Sequence, residues 1–282
     1  MRASGRLRVR PLRTRDRDRA LAYLDRAPLL NLVLIDLVLR LGRSRRGEGR
    51  PELLAAWRDG ELAGVAALQP TLVLDALADR EALEALVPSV ASVGAGLVKS
   101  TPDVVDPLWA WLEARGRRAL LDRIEIGYVL ERGSPLPAPP AGFEARPARP
   151  ADLDALVVAA RASLLEEKRA DPFQGDPNGF RRWVRSRLPR ATVVTAGDRV
   201  AFVGYADVQS GRGWLLQGVY TWPEWRRRGL GREGVAALCR RAFEAGAAHV
   251  QLAVVEGNVA AERLYVSLGF RPFARLRTLL FS

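Results

Sequence analysis

The sequence predicts an α/β (α+β) protein made of two units, each a sheet flanked by helices. Three observations lead there. Strand-like and helix-like segments alternate along all 282 residues rather than clustering by type. Hydrophobic residues make up 48% of the chain, enough to fill two cores of ordinary size. The alternation breaks at Pro135-Leu136-Pro137-Ala138-Pro139-Pro140, where four prolines in six residues exclude both sheet pairing and a helix interior. The chain is therefore expected to divide into residues 1–134, a Pro-rich linker at 135–142 and a second domain at 143–282.

In the second half, Phe143–Arg146 reads as a short strand, and a helix begins near Asp152 and runs to about Lys168. Leu153, Leu156, Val157, Ala160 and Leu164 recur there at helical spacing. Gly179–Leu188 is a further helix. Thr192–Ala196 and Val200–Val208 are strands joined by the tight turn Gly197-Asp198. Trp214–Thr221 is a third strand, and a helix from Leu230 to about Ala245 follows, burying Val235, Leu238, Cys239 and Ala242. His249–Val255 is a strand, Val259–Leu268 a short helix and Phe273–Leu280 a closing strand. The first half gives a similar order. Leu7–Arg10 is a strand and Asp18–Leu41 contains helix. Leu53–Trp57 and Leu62–Leu68 flank a turn at Arg58–Glu61, and Thr71–Leu74 is a strand. Arg80–Val90 and Val104–Arg115 are helices, with strands at Leu97–Lys99 and Ile124–Leu130. Two copies of one fold would leave this pattern, although residue identity between the halves is slight.

Composition narrows the functions. One cysteine, Cys239, rules out an internal disulfide and fits a reducing, cytoplasmic setting. With one histidine, His249, the chain lacks the ligands of a conventional zinc site, and a Ser-His-Asp or Cys-His hydrolase would have to use that residue as base. His249 is expected to be a solvated residue at a helix-to-strand junction, and Cys239 to be packing. No secretory signal is visible behind Met1–Arg6, and Leu29–Leu41, interrupted by Asn31, Asp36 and Arg40, reads as a buried helix rather than a membrane span. The net charge of +12 invites a nucleic-acid partner. Against it, the basic residues are nearly all arginine and lie scattered among acids, as in Arg13-Thr14-Arg15-Asp16-Arg17-Asp18-Arg19. Net charge is +4 over residues 1–134 and +8 over 135–282, so the excess leans toward the half that carries the motif below.

That motif is the strand Trp214–Thr221 leading into Trp222-Pro223-Glu224-Trp225-Arg226-Arg227-Arg228-Gly229-Leu230-Gly231, where a helix starts. A helix N-terminus presents unpaired N–H groups and partial positive charge, which suit a phosphate. Gly229 and Gly231 let backbone approach an anion closely, and Arg226, Arg227 and Arg228 add donors. A second block follows: Asn258, Ala261, Leu264-Tyr265 and Gly269-Phe270.

The two blocks, in this order and spacing, resemble the GNAT superfamily of N-acetyltransferases, best over residues 214–273 and onward from about 143. The resemblance implies a mixed, mostly antiparallel twisted sheet flanked by helices. It also implies acetyl-CoA, or another acyl-CoA, as cofactor. Backbone N–H groups across Arg226–Gly231 (Arg226, Arg227, Arg228, Gly229, Leu230, Gly231) would cradle the CoA pyrophosphate. The strand end Val219-Tyr220-Thr221 would bond the pantetheine arm, and the N–H of Val219 or Tyr220 would steady an oxyanion. Asn258 would contact the cofactor, and Tyr265 would protonate the leaving thiolate. Each has a plainer reading: Asn258 as a helix cap, Tyr265 as core, the arginines as a solvated run. Two-domain members exist whose N-terminal unit lacks the cofactor loop. No such loop follows Thr71–Leu74 here, so residues 1–134 read as a degenerate GNAT-like domain.

Many family members place a Glu on the strand before the loop as base; this chain has Gln217, which cannot act as one. Glu166, Glu167, Glu224 or a water relay stay open for that role, with Glu166, Glu167 and Gln217 also on the acceptor side. The expected function is acetyl transfer from acetyl-CoA to a primary amine of a small molecule or protein N-terminus by direct attack in a ternary complex. A non-catalytic CoA-binding module and a tandem-GNAT enzyme of thiol-cofactor biosynthesis are the alternatives. Acceptor, acyl length and oligomeric state are not legible.

Overall fold

The computed structural model describes residues 7–42, 51–69, 71–90, 92–138, 143–167, 169 and 171–282. Met1–Arg6, residues 139–142 of the expected linker, and Lys168, the expected helix end, lie outside that set. The chain forms two compact units, Met1–Gly127 with Phe273–Ser282, and Tyr128–Pro272.

In chain order the first unit has β1 (Leu7–Pro11), α1 (Arg17–Leu24), α2 (Pro28–Leu39), β2 (Glu52–Arg58), β3 (Glu61–Gln69), β4 (Val73–Leu74), α3 (Arg80–Val90), β5 (Gly96–Ser100), α4 (Pro102–Glu113) and most of β6 (Ala119–Glu131). Pro28 splits the helical region expected at 18–41, because its fixed φ and missing N–H suit the first turn of a new helix. The second unit has β7 (Glu144–Pro147), α5 (Leu153–Glu166), α6 (Pro172–Gly175), α7 (Pro177–Arg187), β8 (Ala191–Ala196), β9 (Arg199–Gln209), β10 (Trp214–Thr221), α8 (Leu230–Glu244), β11 (His249–Val255) and α9 (Val259–Ser267). The last strand is β12 (Arg271–Phe281). Among the described residues no helix is long and apolar enough to cross a membrane.

Strands β1 to β4 form an antiparallel sheet in sequence order. In the second unit the order is β11-β10-β9-β8-β7, antiparallel except for the parallel β10–β11 pair. Helices α5 and α7 cover one face: Leu156, Val157, Phe180 and Val184 share a core with Val193, Val203 and Tyr205. Helix α8 packs so closely against β9 that a Cβ on Gly234 would run into the Phe202 ring, and one on Gly204 would reach 2.8 Å from Leu238. Those two glycines set the depth at which the helix start lies.

The unit boundary differs from the break expected at 135–142. Strand β12 pairs with β5 from Arg277↔Ser100 to Phe281↔Gly96, and Leu279 and Phe281 enter a core with Val98, Val104 and Leu108. The end of β6, from Tyr128 on, belongs to the second unit, and Arg132 just beyond the strand donates its N–H to Ala248 C=O, 3.1 Å. Both strands carry apolar faces, and sequence alone does not say which sheet takes which.

Helix and strand order repeats between the halves, and one corner repeats in atomic detail. Arg10-Pro11-Leu12-Arg13-Thr14-Arg15-Asp16 returns 136 residues later as Arg146-Pro147-Ala148-Arg149-Pro150-Ala151-Asp152. In each, the first Arg grips the Asp through two bonds of 2.7 and 2.9 Å, and the second Arg's backbone N–H donates to the same carboxylate. A bidentate charge-assisted pair that also satisfies a free amide locks the first strand to the first helix in both units.

Candidate functional site

The parallel pairing of β10 with β11 covers only Trp214↔Val250 and Leu215↔Gln251. Among the described residues the edge of β10 from Leu216 to Thr221 has no strand partner on that side. The opposite edge remains paired to β9, with a bulge between Gln217↔Tyr205 and Tyr220↔Val203. Gly218 lies in that bulge, exposed and left-handed at φ 59°. The result is an open main-chain edge on a strand that is otherwise anchored.

Beyond Thr221 the chain makes a single turn of 3-10 helix at Pro223–Trp225, in which Arg226 N–H donates to Pro223 C=O, 3.2 Å. Arg227 is then left-handed at φ 63°, a strained state for a residue with a Cβ, and Gly229 follows at φ 82°. The hydrogen-bond ladder of α8 begins with Glu233 N–H donating to Gly229 C=O, 2.9 Å. The amides of Gly229, Leu230, Gly231 and Arg232 precede it and have no acceptor in the described chain; Gly229, the N-cap, has no side chain to cap them. A Cβ on Gly229 would meet nothing within 4 Å, so the space beside that residue is open. Free amides, a helix dipole and open space together fit a diphosphate.

The equivalent corner of the first unit is closed by its own carboxylates. Buried Asp75 accepts from Val65 N–H, Leu77 N–H (2.8 Å) and the Tyr23 hydroxyl (3.2 Å), and burial pushes its pKa up. Asn31 Oδ1 accepts from Ala76 N–H, 3.0 Å. Asp79, at the position before α3 that Gly229 holds before α8, accepts from Ala82 N–H, 2.9 Å, and pairs with Arg58 at 2.7 Å. An added anion would find those amides taken and like charge beside them.

The other site residues fall out as follows. Arg226 does not face the free amides: its side chain donates to Thr221 C=O (2.9 Å) and to Glu166 (2.6 Å), so it ties the loop to the end of α5. Its amide is also spent, in the 3-10 turn, and Thr221 C=O is engaged. Glu166 further accepts from the Tyr220 hydroxyl, 3.3 Å; burial, and after it the Glu166 charge, raises that phenol's pKa. Glu167 lies 3.8 Å from Arg169. Glu224 pairs with Arg199 at 2.8 Å. Gln217 is exposed on the bulge. Asn258 caps α9 through Ala261 N–H, 3.2 Å. Tyr265 is buried against Phe270 and near Cys239; burial raises its pKa, so it stays protonated. Its hydroxyl has no protein partner among the described residues. His249 is not the solvated junction residue expected: it is buried at the start of β11, hydrogen-bonded to Gln251 (3.1 Å) and packed where a Cβ on Gly213 would sit.

The strand pattern does not mark the bulge, nor Arg187, whose Nη1 would lie 3.6 Å from a Cβ on Gly218 and whose side chain is held by Asp207. A glycine inside a strand pattern was the available signal.

Residues 157–270 match the model of the Acetyltransferase (GNAT) family. No curated protein sequence matches the chain. Among solved structures, a Drosophila protein aligns with a TM-score of 0.74 at 16% identity, covering 96% of this chain and 98% of its own. A tandem GNAT protein from the clavulanic acid biosynthesis pathway aligns at 0.56 and 18%, covering 98% of each. A GCN5-related N-acetyltransferase from Sphaerobacter thermophilus aligns at 0.59 and 18%, covering 97% and 95%. At these identities the structural likenesses establish the fold, over nearly the whole chain. The family match makes residues 157–270 a GNAT acetyltransferase domain.

Proposed function

We propose that this GNAT domain uses acetyl-CoA to acetylate a primary amine by direct transfer, with one cofactor site per chain. The observation that carries the reading is the set of unpaired amides at Gly229–Arg232 beside the unpartnered edge of β10. Acetyl-CoA, when bound, supplies the activated acyl thioester. The chain's own residues supply the rest. The amides of Gly229, Leu230 and Gly231, with the N-terminal dipole of α8, hold the diphosphate. Arg227 and Arg228 lend charge, while Arg226 holds the loop in shape through Glu166. The free edge at Val219 and Tyr220 offers main-chain groups to an extended amide-bearing arm, in the manner of an added strand, while Thr221 C=O is held by Arg226.

Tyr265 Oη holds the proton that a departing thiolate requires. Its raised pKa makes full transfer costlier than from an ordinary phenol, so hydrogen-bond donation carries much of its effect. Asn258 orients the start of α9, and so Tyr265, through its cap. A base for the amine is not supplied by Gln217. Glu166, at the end of α5, is a carboxylate held against the loop by Arg226 at 2.6 Å.

The test is calorimetric titration of the full chain with acetyl-CoA, followed by thiol release over a panel of amines. Binding of one equivalent with amine-dependent thiol release supports the reading. Binding without turnover on any amine favours a non-catalytic CoA-binding module, and no binding removes both.

A further inference from the structure

We propose that Arg187 reads a carboxylate on the acceptor, so that the amine acetylated belongs to an α-amino acid or a compound built like one. The inference rests on the acyl-transfer reading above and names the acceptor class for that same site.

Arg187 closes α7 and is mostly buried, its side chain 14% exposed. Its guanidinium carbon lies 3.9 Å from the Tyr205 ring centre and 5.0 Å from that of Trp183. Asp207 on β9 takes two of its nitrogens, Nε at 3.2 Å and Nη2 at 2.6 Å. The remaining nitrogen, Nη1, has no protein acceptor among the described residues. It points at the bulge: a Cβ on Gly218 would come 3.6 Å from Nη1 and 3.0 Å from the Tyr205 ring. Glycine at 218 therefore keeps a gap in front of a fixed, partly desolvated donor, and any other residue would fill it.

That arrangement is more than a pin between α7 and β9 needs. A pin uses the Asp207 bonds and the ring contacts; it gains nothing from an unmet N–H edge facing a gap on the open strand. The Arg187–Asp207 pair is neutral overall, so selection arises from short-range geometry rather than long-range attraction. A planar carboxylate oxygen accepting from Nη1 forms a charge-assisted bond, stronger than the one a carboxamide oxygen forms there. The bulge lies on β10 next to the edge offered to the acyl arm, and in an α-amino acid the carboxylate and amine share one carbon. Recognition at Nη1 thus places the amine beside that edge.

The experiment compares α-amino acids with their own carboxamides, such as leucine and leucinamide or phenylalanine and phenylalaninamide. It uses the full chain with acetyl-CoA at equal concentrations of free amine. The proposal expects kcat/KM for the acid to exceed that for the carboxamide roughly 10- to 100-fold. Arg187→Gln should bring the ratio to within about threefold, through KM of the acid, with acetyl-CoA affinity unchanged. Arg187→Lys keeps a cation for Asp207 but lacks the planar fork; it should collapse the ratio likewise if the glutamine variant fails to fold. A wild-type ratio near or below one overturns the proposal. So does loss of both substrates in equal measure in the variants, or acetyl-CoA binding with no amino acid acetylated. Calorimetry on the same samples keeps the two levels apart: absent acetyl-CoA binding removes the transferase reading itself. Bound acetyl-CoA with turnover only on uncharged amines removes the carboxylate alone.

Discussion

Gly229→Asp should convert the cofactor corner of the second unit into the closed corner of the first while leaving the fold in place. Position 229 precedes α8 as Asp79 precedes α3, and Asp79 uses its carboxylate to accept from the amide three residues on, 2.9 Å away. An aspartate at 229 would take Arg232 N–H likewise only once the backbone there gives up the left-handed conformation, which Asp79 does not share. The left-handed backbone there, φ 82°, costs a residue with a Cβ about 1–2 kcal/mol. The new cap returns about 1 kcal/mol, and its charge at the helix start a further ~0.3–1 kcal/mol. Stability should then stay within about 1 kcal/mol of the parent, a Tm change under ~4 °C. Binding should not survive so well. One negative charge about 5 Å from a phosphate costs roughly 3 kcal/mol at an effective dielectric of about 20, before any amide is lost. That corresponds to at least about a 100-fold rise in Kd for acetyl-CoA by calorimetry. Gly229→Ala separates strain from charge: it should lose the stability and little of the affinity. Gly229→Asp that folds and binds acetyl-CoA within threefold of the parent would refute the assignment of these amides.

Tyr265→Phe should lower kcat at least about tenfold with acetyl-CoA affinity nearly unchanged, measured by thiol release and calorimetry; an unchanged rate takes Tyr265 out of the mechanism. Arg226→Gln should cost about 1 kcal/mol in urea unfolding, because its side chain holds Thr221 and Glu166, and should change acetyl-CoA Kd less than Arg228→Gln does. The Arg10 side chain holds Asp16 down at about 2, and Arg146 holds Asp152 below its ordinary value. A carboxylate whose folded pKa is depressed contributes stability above its unfolded value near ~4, and loses it as pH falls through the folded value. Stability should therefore drop between about pH 4 and pH 2. Asp152→Asn should remove about 2 kcal/mol at pH 7 and flatten that drop, read from urea melts at pH 7 and pH 3.

The local elements were legible because each carries its own period and punctuation. Trp214–Thr221, His249–Val255 and Arg80–Val90 lie where the pattern puts them. What was not legible depends on partners distant in sequence. The pairing of β12 with β5 is one case, since an apolar closing strand fits either sheet. The side chain of Arg226 is another: a loop arginine reads as a phosphate ligand until Glu166, sixty residues earlier, is seen to hold it. His249 looked like a junction residue because nothing local revealed that Gly213 makes room for its ring. The corner repeated at a spacing of 136 residues was visible in principle, as Arg-Pro-x-Arg-x-x-Asp, but seven residues are easily passed over where overall identity is slight. The closed corner of the first unit shows in the sequence only as a missing motif, because Asp75 and Asp79 fill the place through contacts with Val65 and Arg58, which lie ten and twenty-one residues away.

In the proposed function, main-chain amides at the start of α8 hold a diphosphate. The most direct measurement is an NMR titration of the 15N-labelled chain with CoA and, separately, with pantetheine, which has the same arm and no diphosphate. The amide signals of Gly229, Leu230 and Gly231 should move with CoA and stay still with pantetheine, while those of Val65, Leu77 and Ala82 in the first unit move with neither. CoA binding that leaves Gly229–Gly231 unmoved would contradict the account.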